Sequence, residues 1–309
     1  MSRVTLGRAH EAPSHWQLAL LQRHQLEASY LRVAQRWFEP LASALAAHHN
    51  GAARPVLIAV NGCQGSGKST LADYVSQCLH WQYGLQCAVL SLDDFYLTRA
   101  ERRALAREVH PLFATRGVPG THDVALLQHT LKRLLSDSGD GAVAIPRFDK
   151  ARDDRRPTQH WDRVSLPVDI VVLEGWCLGV DAQCAAELVA PVNALERDED
   201  PQAIWRTHVN TVLAEQFPAI YRLVDSWVML QAPSFDCVQQ WRQEQEDKLR
   251  QRLGTDALAC TMDRAQLARF VQHYQRLTEI CLQTLPERTN HLFQLDAQRR
   301  VCRGKIDGR

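Results

Sequence analysis

A lysine and a serine set behind a run of glycines carry the clearest chemistry in this chain. Gly62-Cys-Gln-Gly-Ser-Gly67-Lys68-Ser69 fits G-x-x-x-x-G-K-[ST] in every position. Glycines let successive backbone N–H groups turn toward one anion, and a helix starting near Lys68 aims its positive dipole end at the same point. In such a loop Lys68 reaches the β- and γ-phosphates of a nucleotide, the Ser69 hydroxyl ligates Mg2+, and Thr70 adds a phosphate contact. Gly62, Cys63, Gln64, Gly65, Ser66 and Gly67 form the cradle. The pattern specifies nucleotide binding but does not choose among GTPases, ATPases and kinases.

Two acidic positions bear on that choice. Asp93 and Asp94 follow an apolar run in Ser91-Leu-Asp-Asp-Phe-Tyr-Leu97. An acceptor hydroxyl has a pKa far above 7, so a kinase needs a carboxylate to take its proton, and Asp93 is the candidate. Asp94 and Tyr96 of the same element are placed with the acceptor. The plain alternative is a solvated turn or a helix cap. Glu174, at the end of Val171-Val-Leu173, suits a Mg2+ site shared with Ser69, or a simple exposed strand end.

Cations gather in two loop-like stretches. One is Arg116-Gly-Val-Pro-Gly-Thr-His-Asp123; the other runs from Ile145-Pro-Arg-Phe-Asp149-Lys150 through Arg152, Arg155 and Arg156. Arginine forks bind carboxylates and phosphates bidentately, so an anionic acceptor would explain this local excess. A solvated charge run is the competing explanation. Trp241, Arg242 and Arg250 fit either a lid over ATP or a packed helix face, and Glu196–Asp200 reads as solvated surface.

The elements that must position these groups follow from hydrophobic periodicity. Short β-rich runs fall at Val56–Val60, Cys87–Leu92, Val168–Leu173, Ser226–Leu230 and Leu292–Leu295. Helical patterns fall at Lys68–Trp81, Val124–Leu135, Pro201–Leu223, Phe235–Leu253 and Arg264–Leu285. This alternation predicts an α/β fold with a doubly wound, mostly parallel sheet of P-loop NTPase type. The candidate residues lie at the carboxyl ends of the strands, where open α/β sheets bind ligands. Ahead of residue 55, Ser14 to about His49 reads as helix, broken at Pro40. Residues 1–54 are therefore expected to be an N-terminal helical extension, and 55–309 the P-loop kinase domain.

Bulk composition narrows the partners. With 36 basic and 35 acidic residues among 309, the net charge of +1 asks for neither nucleic acid nor an anionic membrane. Nine cysteines lack CxxC spacing, and Met1–Trp16 carry no apolar leader segment. These features predict reduced thiols in a cytoplasmic protein. The missing N-K-x-D element leans toward ATP.

Taken together, Asn61–Thr70, Ser91–Thr98, Arg116–Asp123, Ile145–Lys150 and Leu173-Glu-Gly-Trp176 resemble the D-glycerate 3-kinase family of plants and its fungal ATP-binding relatives. That family lies within the phosphoribulokinase, uridine kinase and pantothenate kinase group. The resemblance runs from about Pro55 to the C-terminus, including Trp241–Glu246 and Leu292–Asp296. It implies ATP and Mg2+ as cofactors, Asp93 as catalytic base, Lys68 on the transferring phosphate and Glu174 in the metal site. It also implies an acceptor site lined by Arg116, His122, Asp123 and Asp149, together with Lys150 and Arg155. The arginines of Lys150–Pro157 have no one-to-one match there, so the acceptor stays open between D-glycerate and a nucleoside or pantothenate. A different class, an ATP-binding regulatory protein, would need no acceptor pocket.

Overall fold

The computed structural model describes residues 12–136, 140–253 and 262–307. The helices are α1 (His15–His24), α2 (Ser29–Asn50), α3 (Lys68–Tyr83), α4 (Arg99–Glu108), α5 (Val124–Leu134), α6 (Ala194–Glu199), α7 (Ile204–Glu215), α8 (Phe217–Tyr221), α9 (Phe235–Leu253) and α10 (Arg264–Thr284). The strands are β1 (Val56–Gly62), β2 (Cys87–Ser91), β3 (Ala142–Ile145), β4 (Phe148–Asp149), β5 (Asp154–Arg155), β6 (Asp162–Ser165), β7 (Ile170–Gly175), β8 (Ser226–Gln231), β9 (His291–Leu295) and β10 (Val301–Ile306).

Six strands form one sheet in the order β10-β9-β8-β1-β7-β2, with β10 antiparallel to β9 and the other pairs parallel. The chain leaves β1 toward β2 on one side and later crosses to β8 on the other. The carboxyl end of β1 is therefore a switch point, where a crevice opens between loops that diverge. Register fixes the level of that crevice: Glu174 pairs with Val60 of β1 and with Ser91 of β2. The phosphate loop, Asp93 and Glu174 consequently emerge side by side.

Each central strand is apolar on both faces, as a sheet covered on both sides requires. Leu57, Leu90, Val171 and Leu173 face α5, α7, α8 and part of α10. Val56, Ile58, Val60, Val172 and Leu230 face α1, α2 and α3. The N-terminal helices are thus built into the second core, where Phe38 of α2 meets the Phe293 ring edge-on at 5.5 Å.

Several expectations change. The N-terminal helix breaks at Gln25, whose φ is 53°, and not at Pro40, which lies inside α2. A proline there removes a helix hydrogen bond at a cost of about 3 kcal/mol, and the burial of its neighbours Phe38 and Leu41 outweighs that loss. The stretch expected as one helix up to Leu223 splits into α7 and α8, with Pro218 in the first turn of α8. Glu196 and Asp200 are not solvated but fully buried. Glu196 accepts from Arg276 at 2.8 and 2.6 Å, and Asp200 pairs with Arg206 at 3.0 Å, so each buried charge has its counterion. The Arg-rich segment is not a loop: it folds as the β3–β6 and β4–β5 hairpins. Helix α4 and strand β10 carry no expectation from the pattern. Among the described residues no helix is long and apolar enough to cross a membrane, and the eight described cysteines are free thiols. Cys260, Met1–Glu11 and the side chain of Arg250 lie outside the described residues.

Because α2 belongs to the same core as the sheet, Phe38→Ala should destabilise the whole molecule by about 3–5 kcal/mol. Urea unfolding followed by tryptophan fluorescence and by far-UV circular dichroism should give one coincident, shifted transition. Two separate transitions would mean that the N-terminal helices melt on their own.

Candidate active site

The phosphate loop leaves β1 at Gly62, where a Cβ would stand 2.6 Å from Ser66 Oγ. Gly65 and Gly67 turn the chain with φ of 80° and 94°, a region that side chains resist. Gly67 is the N-cap of α3, so Lys68 and Ser69 occupy the helix's first turn. Ser69 Oγ donates to Glu174 Oε1 at 2.9 Å, and Lys68 Nζ stands 3.7 Å from Glu174 Oε2. Cys63 is buried behind the loop, and burial pushes its thiol up to about 12.

A cleft of about 300 Å3 opens beside the loop. Gln64, Gly65, Gly67, Lys68, Ser69 and Thr70 form its floor; Asp93, Tyr96, Arg116, Lys150 and Glu174 form its sides. Asp93 lies just past the end of β2 in a short 3-10 turn, Leu92–Phe95. Its Oδ2 accepts from Lys150 Nζ at 2.8 Å and its Oδ1 from the Tyr96 hydroxyl at 2.9 Å. Burial alone would raise its pKa. The Lys150 and Lys68 charges, with those two hydrogen bonds, instead hold the carboxyl well below the usual carboxylate range. Asp93 is therefore an ionised acceptor at neutral pH. Burial and the Asp93 charge push Tyr96 well above 10, so its hydroxyl remains a donor.

The structure does not bring every expected acceptor residue to the cleft wall. Asp94 turns away: Arg147 Nη1 and the Phe148 N–H donate to its two oxygens at 2.9 and 3.0 Å. It holds the β4–β5 hairpin, whose turn delivers Lys150. His122 is buried beneath Tyr96, with ring centroids 4.5 Å apart, and burial lowers its pKa to about 4. It is a neutral platform whose ring nitrogens make no hydrogen bond among the described residues. Asp123 caps α5 through the Leu126 N–H at 2.9 Å and accepts from Arg155 Nη1 at 3.0 Å, so these two neutralise each other. Asp149 caps the hairpin turn by accepting from the Ala151 and Arg152 N–H groups.

Three cleft residues fall outside the sequence-derived site set: Arg242 of α9, and Phe270 and Tyr274 of α10. The sequence leaves Trp241 and Arg242 open between a lid over ATP and a packed helix face; Arg242 borders the cleft, whereas Trp241 is core, donating to the Ala297 carbonyl at 2.8 Å. Phe270 and Tyr274 carry no local signal, because they read as the apolar face of a helix. Tyr274 donates to the Arg116 carbonyl at 3.1 Å and so fixes the loop behind that guanidinium. Arg102 is equally hidden in the sequence. Fully buried, it donates to the carbonyls of Leu97, Ala114 and Asp153 at 3.3, 2.8 and 2.6 Å, tying three segments of the acceptor side together.

A phosphate cradle facing an ionised aspartate across a cleft of this volume suits the terminal phosphates of a nucleotide and a small hydroxyl compound, which is how a P-loop small-molecule kinase is built. No family model matches the chain. The uncharacterized kinase mug58 of Schizosaccharomyces pombe is 32% identical over 245 residues, 77% of this chain and 84% of that one. The chloroplastic D-glycerate 3-kinase of Arabidopsis thaliana is 32% identical over 205 residues, 64% of this chain but only 42% of that enzyme. The solved D-glycerate 3-kinase of Cryptococcus neoformans shares the fold, with a TM-score of 0.72 at 24% identity over 89% of this chain and 98% of that one. The structure of the YGR205w protein gives a TM-score of 0.66 at 27% identity, covering 83% and 91%. The chain belongs to the family of P-loop kinases that takes in plant D-glycerate 3-kinase and the fungal ATP-dependent kinases. It is an ATP-using kinase of a small molecule.

The depressed pKa of Asp93 depends on Lys150, and that dependence has a sign. With Lys150 present the carboxylate stays ionised well below pH 3.8, so its protonation contributes no acid limb near neutrality. In Lys150→Met the Lys150 charge and its hydrogen bond are lost while Lys68 and Tyr96 remain, so the Asp93 titration and the acid limb of kcat/KM that it sets should move up. Carboxyl-carbon NMR of Asp93 gives the same titration if turnover is too slow to profile. An unmoved limb and an unmoved resonance would separate Asp93 from Lys150.

Proposed function

We propose that this kinase transfers the γ-phosphoryl group of Mg-ATP to D-glycerate, giving 3-phosphoglycerate and ADP. The observation that carries the acceptor class is that three cations line the cleft that holds Asp93. Arg116, Lys150 and Arg242 border it, paired at rest with Asp153, Asp93 and Glu246, and their exchange onto a bound carboxylate suits a short acidic alcohol. The kinship with D-glycerate 3-kinases supports the particular acceptor.

In this reading Lys68 and the N-terminal N–H groups of α3 hold the β- and γ-phosphates and take up negative charge as it shifts toward the leaving ADP. The donor set at Ser69 and Glu174 fits Mg2+, which prefers one or two protein oxygens and otherwise keeps water and phosphate. Glu174 Oε2 is buried and accepts no hydrogen bond among the described residues, which leaves a lone pair for a cation. Bound there, Mg2+ would supply charge neutralisation on the phosphates. Arg116 and Lys150 orient the acceptor carboxylate. Asp93 takes the proton from the attacking hydroxyl as the new O–P bond forms and the bond from the γ-phosphorus to the β–γ bridging oxygen breaks. The product and ADP then carry the transferred group and the leaving electron pair.

Coupled ADP release, with uridine, pantothenate and ribulose 5-phosphate as controls, tests the acceptor. Saturable stimulation by D-glycerate alone is expected. Asp93→Asn should lower kcat by about 10²–10⁴ while ADP affinity changes by less than about threefold. Stimulation by a control compound and not by D-glycerate would discard the acceptor, and parallel loss of ADP binding would discard the role of Asp93.

A further inference from the structure

The end of α1 touches the phosphate-binding helix through a contact that the transfer reaction leaves unused. Helix α1 is anchored on α3 by Leu20 and Leu21, buried in the second core, and by Trp16, whose ring centroid lies 5.4 Å from that of Tyr74. It ends at Gln25, whose left-handed backbone turns the chain toward α2. His24 is thereby held across the first turns of α3, with Nε2 2.7 Å from Asp73 Oδ2 and Nδ1 3.3 Å from Thr70 Oγ1. Arg23 donates to the same Asp73 oxygen at 2.6 Å. Thr70 borders the cleft beside Lys68 and Ser69, whereas His24 does not line it.

Donor and acceptor roles around this ring are constrained. Burial would raise the Asp73 carboxyl, but the hydrogen bonds and charges of His24 and Arg23 hold it below the usual carboxylate range. Asp73 is thus an acceptor only, so His24 Nε2 carries a hydrogen and donates it. In the neutral ring Nδ1 is then the acceptor, and the Thr70 hydroxyl turns its single hydrogen onto it. In the imidazolium Nδ1 donates too, Thr70 Oγ1 accepts, and the hydroxyl hydrogen is left for another acceptor. Asp73 favours the imidazolium, while Arg23 and the Lys68 charge two residues before Thr70 oppose it. Glu27 follows in the α1–α2 connection, and burial pushes the Tyr30 phenol of α2 up, so that it stays neutral. Glu39 of α2 is engaged by the Tyr74 hydroxyl at 3.1 Å. Across the hollow that adjoins Thr70, Arg299 pairs with Glu244 and Arg300 with Asp296.

We propose that His24 is a positioning residue of the phosphate loop, whose protonation frees the Thr70 hydroxyl to donate to a nucleotide phosphate. The inference rests on ATP being the nucleotide on that loop, and it is independent of which acceptor the cleft takes. A bound phosphate favours the imidazolium in two ways: by its charge, and by taking the hydroxyl hydrogen that the neutral ring would otherwise hold. Only the second acts through Thr70. Linkage sets the sign, because a ligand bound more tightly by the protonated form must raise the proton occupancy of that form. Nucleotide binding therefore takes up a proton at His24 over the range in which the ring titrates, and affinity falls as pH rises through it. A His24 that only fastened α1 to α3 through Asp73 would pass no such signal through the Thr70 hydroxyl.

The test counts protons. ADP with Mg2+ is titrated calorimetrically into the full chain at about pH 6.5, in buffers of different ionisation heat. His24→Gln keeps a donor for Asp73 but takes no proton, Thr70→Val removes the hydroxyl at nearly the same shape, and Thr70→Ser restores it. Protons exchanged by the nucleotide itself are common to all four proteins, so the differences between them are read. Wild type and Thr70→Ser should take up about 0.2–0.5 proton more than His24→Gln, and Thr70→Val should lose at least about half of that difference. In wild type the His24 ring resonances should titrate at higher pH with Mg-ADP bound than without, which gives the reading if a variant fails to fold. A proton count unchanged in His24→Gln, an unmoved His24 titration, or the full difference kept in Thr70→Val would overturn the inference. Absence of ADP binding to the folded wild type would instead overturn the nucleotide reading on which it rests. No acceptor is present in the titration, so failure of the D-glycerate assignment leaves each outcome readable.

Discussion

Glu174 pairs with Val60 on one side and Ser91 on the other, and almost everything at the active site depends on that double register. Sliding β7 by one residue against β1 would turn Glu174 to the opposite face and send Val172 and Leu173 to the wrong cores. The apolar residues on both faces of β7 therefore specify the position of a buried carboxylate that adds no apolar area to either core. Ser69 and Lys68 meet that carboxylate from α3 because Gly67 starts the helix one residue before them. Backbone pairing does the coarse positioning, and one polar contact per element does the rest.

The acceptor side is built by a different device. Its short segments lend Phe95, Phe113, Val118 and Ile145 to the main core, and buried charge does the remaining positioning. Arg102 collects three carbonyls, while Asp94 receives Arg147 and a backbone N–H from the β4–β5 hairpin. These interactions satisfy groups that would otherwise be buried unpaired, at a penalty of about 1–3 kcal/mol each. They also determine which residues reach the cleft. Asp94, Asp123, Asp149 and Arg155 are consumed in holding the frame, and Lys150 and Arg116 are presented by it.

What was legible in the sequence follows from this difference. The phosphate loop, the five parallel strands and the carboxylates at their ends are local patterns, and each can be read within about ten residues. The two hairpins between Ala142 and Ser165 are not, because their strands are two to four residues long and the inner one is held by Asp94 and Arg102, remote in sequence. A motif marks the segment that matters without saying which of its side chains face the ligand: Asp93 and Asp94 are adjacent, yet they point to different tasks. Phe270 and Tyr274 were invisible for a further reason. An apolar helix face looks the same whether it covers a core or a substrate, so only topology could assign them. The break at Gln25 was missed because proline is the stronger local signal, and at Pro40 packing overrides it.

The strongest tension in the site is that the proposed base has a depressed pKa. A carboxylate bound by a lysine and a tyrosine is a weak proton acceptor, which would be a poor choice for a reaction begun by deprotonation. Phosphoryl transfer eases that demand, since its transition state is loose and the nucleophile's proton need leave only late. The cleft also offers a way to strengthen the base at the right moment. Lys150 lies on a hairpin turn with its side chain largely exposed, whereas Tyr96 is buried and fixed by His122. On the proposed reading, an acceptor carboxylate draws the ammonium away from Asp93 while Tyr96 continues to hold the carboxylate in place. The burial that now opposes ionisation would then raise the basicity of Asp93 once its counterion has turned to the substrate. An uncharged acceptor would leave the ion pair intact, so the same pair that stabilises the resting cleft also discriminates among acceptors.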